Sequence, residues 1–285
     1  MKTLNPFSLL VDLVERSLDR HYAALELVSA QGTAINTTIA ALAAVSGDSL
    51  AVKNTGGATP ARLLQLWADV QLAGTLRVRS SKFHDNVQGI RVDTIASDCA
   101  PLLPWGVSQR VYPNDTLIVE LAGSSTAGDI EYVSLLIYYP DLPGTSLQSI
   151  TREQLVQRAL NIMTVENTLA TGTGGGWTGS EAINAEIDQF HAGGLYALVG
   201  YKVDAECASV GIRGADTANL RIGGPGIETE PELTADWFGR LSDAFKLPLI
   251  PVFSAENKAG ILVDALQDEN GTDVTVTWHF VEISR

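Results

Sequence analysis

A stretch from the middle of the chain returns near its end. Residues 102–139 read LLPWGVSQRVYPNDTLIVELAGSSTAGDIEYVSLLIYY, and residues 249–283 read LIPVFSAENKAGILVDALQDENGTDVTVTWHFVEI. Leu117-Ile118-Val119-Glu120 recurs as Ile261-Leu262-Val263-Asp264, and Asp129-Ile130 recurs as Asp273-Val274, both displaced by 144 residues. A fainter echo lies upstream. Leu76-Arg77-Val78-Arg79 resembles Val210-Gly211-Ile212-Arg213, and Ile90-Arg91-Val92 resembles Leu220-Arg221-Ile222. A repeat limits the fold more than any single segment, because each copy must be a unit that can stand beside its twin.

The repeated unit is β in texture. Short runs rich in branched and aromatic residues alternate with Gly, Asn, Asp and Pro, the pattern of an all-β sandwich or barrel. Strands are predicted over 34–43, 48–54, 62–71, 74–80, 88–94, 102–105, 115–122 and 130–139, the first of which reads equally well as helix. In the second copy they are predicted over 181–188, 194–203, 207–213, 218–223, 248–253, 260–266 and 272–283. The last is the cleanest: Val274, Val276, Trp278 and Phe280 fall on one face, Thr275, Thr277 and His279 on the other, as in a half-buried strand. Asn270-Gly271 before it reads as a hairpin turn, making the end of each repeat a strand pair.

Three helices are predicted around the strands. Residues 5–28 carry Leu10, Leu13, Val14, Leu18, Tyr22 and Leu25 at helical spacing behind Asn5-Pro6, a cap followed by a proline suited to the first turn. Thr151 and Gln154 form a capping box for a connector helix within 149–170, whose face is Leu155, Ala159, Ile162 and Met163. The third is an insertion. Nine residues separate Val92 from Leu102, but 26 separate the matching Ile222 and Leu249. The extra length holds Trp237, Phe238, Leu241 and Phe245, a helical stripe within 234–245. The division is then residues 1–31, an amphipathic helix; 32–145, a first sandwich; 146–176, a connector ending in a Gly-rich linker; and 177–285, a second sandwich.

Chemistry is sparse. His21, His84, His191 and His279 have no metal-ligand spacing, and Cys99 and Cys207 lie one in each half as two buried thiols. There is no GxSxG elbow, and Thr171–Gly176 lacks the ending of a phosphate loop. Asp268–Asp273 lacks the bidentate Glu of a calcium loop. No catalytic, cofactor-binding or metal-ligating residue is assigned. Glu120 and Asp264 occupy matched points on matched strands, which points to a shared structural position, facing outward from an apolar strand, rather than to catalysis. The formal net charge is −14, so direct contact with nucleic-acid phosphates is not expected. Charged residues interrupt the first apolar stretch (Asp12, Glu15, Arg16, Asp19, Arg20), so it reads as no secretory signal, and folding in the cytoplasm is expected.

In organisation the chain resembles the double jelly-roll major capsid proteins of icosahedral viruses, including tailless bacteriophages with internal membranes. The likeness rests on the duplicated strand sets (62–139 and 194–283), the helix-containing connector (149–170) and the helix inserted late in a roll (234–245). It implies two tandem antiparallel jelly-roll β-sandwiches of eight strands each, in a homotrimer that forms a pseudo-hexagonal capsomer. It also implies neighbouring capsomers and minor capsid proteins as partners, no enzyme activity, no cofactor, and a place in the virion after synthesis in the host cytoplasm. The N-terminal helix would face inward, toward an internal membrane or the genome. The second half offers only seven candidate strands, one short of the family's eight. Two other readings stay open: an accessory virion part such as a spike or penton, and a carbohydrate-binding protein using Trp105, Trp177 and Tyr112.

Overall fold

The computed structural model describes residues 24–33, 38–54, 59–96, 98–123, 130–140, 142, 148–170, 172, 174–183, 189–267 and 272–284. The chain is all-β, with mostly antiparallel sheets and few helices, an arrangement consistent with β-sandwiches. The first half runs β1 (Ala24–Gly32), β2 (Ala40–Ala41), β3 (Ala43–Ala44), β4 (Ala61–Asp69), β5 (Thr75–Arg79), β6 (Ile90–Asp93), β7 (Gln109–Val111), β8 (Ile118–Ala122) and β9 (Glu131–Tyr139). The second runs β10 (Gln148–Ile150), β11 (Asn161–Leu169), β12 (Trp177–Ala182), β13 (Leu195–Val203), β14 (Cys207–Arg213), β15 (Ile222–Gly226), β16 (Ile250–Ser254), β17 (Leu262–Leu266) and β18 (Val274–Ser284).

The repeat reappears in the pairing. One first-half sheet has the order β3-β1-β9-β4-β7, and its second-half counterpart has β10-β16-β13-β18-β11. Set aside the extra strands β3 and β10, and the core orders β1-β9-β4-β7 and β11-β18-β13-β16 correspond strand for strand. The two four-stranded sheets, β2-β8-β5-β6 and β12-β17-β14-β15, correspond in the same way. The strand missing from the sequence-based count is β11.

The four sheets are stacked in one direction. The first core lies between the first half's two sheets and includes Val28, Leu66, Val78, Val119 and Leu135. The back of its five-stranded sheet is apolar too. Leu25, Leu27, Leu64, Trp67, Leu136 and Tyr138 belong to the same cluster as the second half's interior. Strands β14 and β15 lie against β1, β4 and β9. The second half's four-stranded sheet therefore covers the back of the first half's five-stranded sheet. This explains why all nine residues of β9 are buried: a strand covered on both faces has no polar side to present.

Several expectations change here. The helix over 5–28 lies outside the described residues up to 23, and from Ala24 the chain is strand. Leu25 and Leu27 face one core while Ala24, Val28 and Ala30 face the other, and β1 pairs with β9 along its full length. From Ala24 to Val28 a two-residue period with both faces buried overrides the helical reading. The connector helix, α1 (Arg152–Arg158), keeps its Thr151–Gln154 capping box but is only seven residues long. Ile162 and Met163 belong to β11, where nine residues pair with β18 and the branched side chains suit a strand. The glycine run is tied down where described. Gly172 donates its backbone N–H to Gln267 Oε1 at 2.8 Å, and Gly175 donates its own to the Tyr132 hydroxyl at 2.8 Å.

The strand expected over 48–54 is an extended segment with a single bridge, Ala51 to Thr116. The one over 102–105 gives way to β7. The one over 218–223 shifts to β15, and β12 begins before the expected 181. Strands β8 and β9 do not pair, nor do β17 and β18; each couple is split between facing sheets. Asn270-Gly271 lies outside the described residues, and the connection there crosses between sheets. Turn residues mark a reversal without specifying whether the chain returns beside itself or opposite itself.

The insertion forms α2 (Pro231–Thr234) and α3 (Trp237–Phe245). Trp237, Phe238 and Leu241 are fully buried, as their spacing predicts. The insertion rests on the second half's five-stranded sheet at Gly200 and His279. A methyl group on Gly200 would fall 2.3 Å from the Thr234 carbonyl oxygen, and His279 Nδ1 lies 3.0 Å from the Ala235 carbonyl oxygen. Gly200→Ala is therefore expected to cost about 1–3 kcal/mol through overpacking against backbone, read as a lower urea midpoint at unchanged slope. Among the described residues no helix is long and apolar enough to cross a membrane.

Candidate functional site

The matched acids mark the same construction on both four-stranded sheets. Glu120 on β8 sits directly across from Arg77 on β5. It accepts Arg77 Nε at 2.6 Å, Arg79 Nε at 2.9 Å and Arg79 Nη2 at 3.1 Å. Asp264 on β17 sits across from Gly211 on β14. It accepts Arg213 Nε at 2.7 Å, Arg221 Nε at 3.1 Å and the Ser180 backbone N–H at 2.9 Å. Each acid points away from the core of its own sandwich, as expected for an outward-facing residue of an apolar strand, and is buried there under two guanidinium groups. The two arginines that could have signalled this, Arg79 and Arg213, stand at matched points of the fainter echo.

Register also corrects that echo. Arg77 faces Arg91, while Gly211 faces Gly223 rather than Arg221. Across the first sheet the row reads Arg91-Arg77-Glu120; across the second it reads Gly223-Gly211-Asp264. The glycines have a reason. A Cβ on Gly211 would lie 2.4 Å from Arg221 Cγ, so the Arg221 side chain lies over the bare backbone on its way to Asp264.

Arg221 continues into the seam between the halves. Its Nη1 donates to Asp48 Oδ1 at 2.7 Å, and its guanidinium carbon stands 3.9 Å from the centre of the Trp177 ring. Asp48 also accepts Trp177 Nε1 at 2.9 Å and the Ser29 N–H at 2.8 Å. Burial pushes the Asp48 carboxyl above its ordinary range, against the Arg221 charge and the hydrogen bonds from Trp177 and Ser29, which pull it down. A cleft of about 350 Å³ opens here, lined by Glu26, Asp48, Lys53, Arg213, Asn219 and Arg221 among others. Lys53 is ion-paired with Glu26. Three acids (Glu26, Asp48, Asp264) answer three bases (Lys53, Arg213, Arg221), so the charges of the cleft close on one another and act as cement.

Further along, Trp67 Nε1 donates to the Ala208 carbonyl at 3.0 Å and to Ser209 Oγ at 2.9 Å. The hydroxyls of Ser29, Ser134 and Ser209 form a chain at 2.7 and 2.9 Å. Tyr132 donates to the Gln267 carbonyl at 3.0 Å. These partnered polar groups, buried in the seam, fix one relative placement of the two halves. Cys99 and Cys207 are free and buried there, as expected, with Cys99 Sγ 3.5 Å from the Cys207 carbonyl oxygen. Burial raises both thiols, which keeps them protonated and unreactive.

Burial raises the Glu120 carboxyl, but hydrogen bonds and charge from Arg79 and Arg77 outweigh it and leave it below its ordinary value. A carboxyl lowered in the folded state adds stability above its unfolded value near 4.5 and loses it as pH falls through the lower, folded value. The melting temperature is expected to fall as pH drops from 5 toward 3, and Glu120→Gln is expected to flatten that arm of a melting-temperature profile.

The aromatic trio of the carbohydrate reading is spent differently. Trp177 stacks on Arg221. Trp105, 38% exposed, stands edge-on to Trp237 at 5.6 Å, and Tyr112 is also 38% exposed. Among the described residues no ring contact joins any two of the three. His191 Nδ1 stands 3.2 Å from Glu282 Oε1, while His21 lies outside the described residues. Among the described residues no group of three His, Cys, Asp or Glu side chains could hold a metal ion.

No protein-family model matches the chain, and no curated protein matches it. Among solved structures the chain is similar to the PBSX exported protein XepA at 14% identity, over 91% of this chain and 86% of that one, with a TM-score of 0.25.

Proposed function

We propose that this protein is a shell-building viral capsid protein whose two halves are jelly rolls. The observation that carries the reading is the repeated strand order. Numbering the eight shared strands of each half from one to eight, the larger sheet carries 1-8-3-6 and the smaller 2-7-4-5 in both halves. Eight antiparallel strands in two facing sheets, with connections that cross between them, is the form that jelly rolls of capsid proteins take. The halves meet front to back, a heterologous contact of the kind that generates rings when it closes. Three such chains would give a six-lobed ring, the unit that the family likeness implies.

The test is sedimentation and negative-stain electron microscopy of the purified protein across a concentration series. Trimers with a six-lobed outline support the reading. A strictly monomeric protein at the highest concentration refutes it.

A further inference from the structure

The two four-stranded sheets share a construction and differ in what covers it. The second half's outer face is closed over by the first half. Its row positions are Gly223 and Gly211, and Arg221 reaches across the seam to Asp48. The corresponding row of the first half carries Arg91 and Arg77, and no described element packs on it. Arg91 is exposed, and no described residue pairs with it. It stands directly across from Arg77, a like-charge arrangement that destabilises a sheet when nothing neutralises it. Beside them is a cleft of about 260 Å³, lined by Thr38, Ile39, Thr75, Arg77, Arg91 and Ala122. Arg77 and Arg79 share Glu120, and Arg91 has only the exposed Asp93, two residues along the same strand, on its face, so three arginines stand beside two acids in a protein whose net charge is −14.

We propose that this arginine face is a docking site for carboxylates of a second copy of the chain. The inference rests on the self-assembly reading and names the surface that would serve it. Two observations choose the occupant. The second half supplies a worked example, since there an arginine of the same sheet face takes a carboxylate, Asp48, from a neighbouring module of the same chain. The chain also carries 33 acidic against 19 basic residues, so a second copy meets a positive patch with a surplus of acids. Arg77 offers Glu120 only its Nε, and Arg91 has no partner among the described residues. The contact differs from the internal seam in being charge-led, because arginines where the seam has glycines hold a facing sheet away.

The experiment is sedimentation velocity on the full chain at 50 and 500 mM NaCl, with wild type, Arg91→Glu and Lys202→Glu. Lys202 is exposed in the second half, so its substitution makes the same change in net charge elsewhere. Wild type is expected to associate at low salt and to weaken at high salt, as screened charges do. Arg91→Glu is expected to raise the dissociation constant about tenfold or more, in line with charge pairs across interfaces, while Lys202→Glu changes it little. Equal effects of the two substitutions, or assembly indifferent to Arg91→Glu, overturn the docking site and leave self-assembly standing. A wild-type chain that never associates overturns both. Thermal unfolding of Arg91→Glu no lower than that of wild type is the control for its fold.

Discussion

Asp264→Ala is expected to destabilise the fold by about 3–5 kcal/mol, the range for removing one partner of a buried ion pair. The side chain of Asp264 is 2% exposed, and those of Arg221 and Arg213 are 13% and 22% exposed. With the acid gone, two guanidinium groups remain in the seam with only Asp48 to answer them, and the Ser180 N–H loses its acceptor. Glu120→Ala removes the same kind of acid from the same place in the other repeat. Its arginines reach solvent, at 19% and 32% exposure, so water replaces part of what is lost, and a cost of about 1 kcal/mol is expected. Urea unfolding of the two variants side by side measures the difference. Equal losses would mean that the seam does not seal the second clamp.

Trp237→Ala is expected to cost about 3–5 kcal/mol as a large-to-small change in a core. The ring is fully buried, stands edge-on to Trp67 at 5.9 Å and to Trp105 at 5.6 Å, and donates Nε1–H to the Gly223 carbonyl at 3.1 Å. It is the point where the insertion, the second half's small sheet and the back of the first half's large sheet meet. Its loss opens a void between the Trp67 and Trp105 rings and the Gly223 backbone. Trp237→Phe keeps most of the ring and loses the hydrogen bond, for about 1–2 kcal/mol. Thermal unfolding separates the two, with a fall of roughly 6–15 °C for alanine at ~2–3 °C per kcal/mol.

Much of this fold is legible in the sequence because local and global signals agree there. The alternation of Val274, Val276, Trp278 and Phe280 and the stripe of Trp237, Phe238 and Leu241 each describe one buried face, and each is found buried. The common displacement of 144 residues reappears as a common strand order. Least legible are the strands whose neighbours, not their own pattern, make them strands. Ala24–Gly32 and Asn161–Leu169 lie beside β9 and β18, the best strands in the chain, and are drawn into ladders by them. The clamps were half legible. The match of Glu120 with Asp264 follows from alignment, but that both acids are held under arginines depends on cross-strand register, which a repeat of words does not fix.

The apolar back of the first half's large sheet has a consequence during synthesis. Leu25, Leu27, Leu64, Trp67, Leu136 and Tyr138 share their core with the second half, whose strands β14 and β15 lie against β1, β4 and β9, so a ribosome releases the first sandwich before that lid exists. For that interval the nascent chain shows an oily wall to the cell. The duplicated protein matures as one cooperative object, and a fragment ending at the connector would be a sticky half rather than a free-standing module.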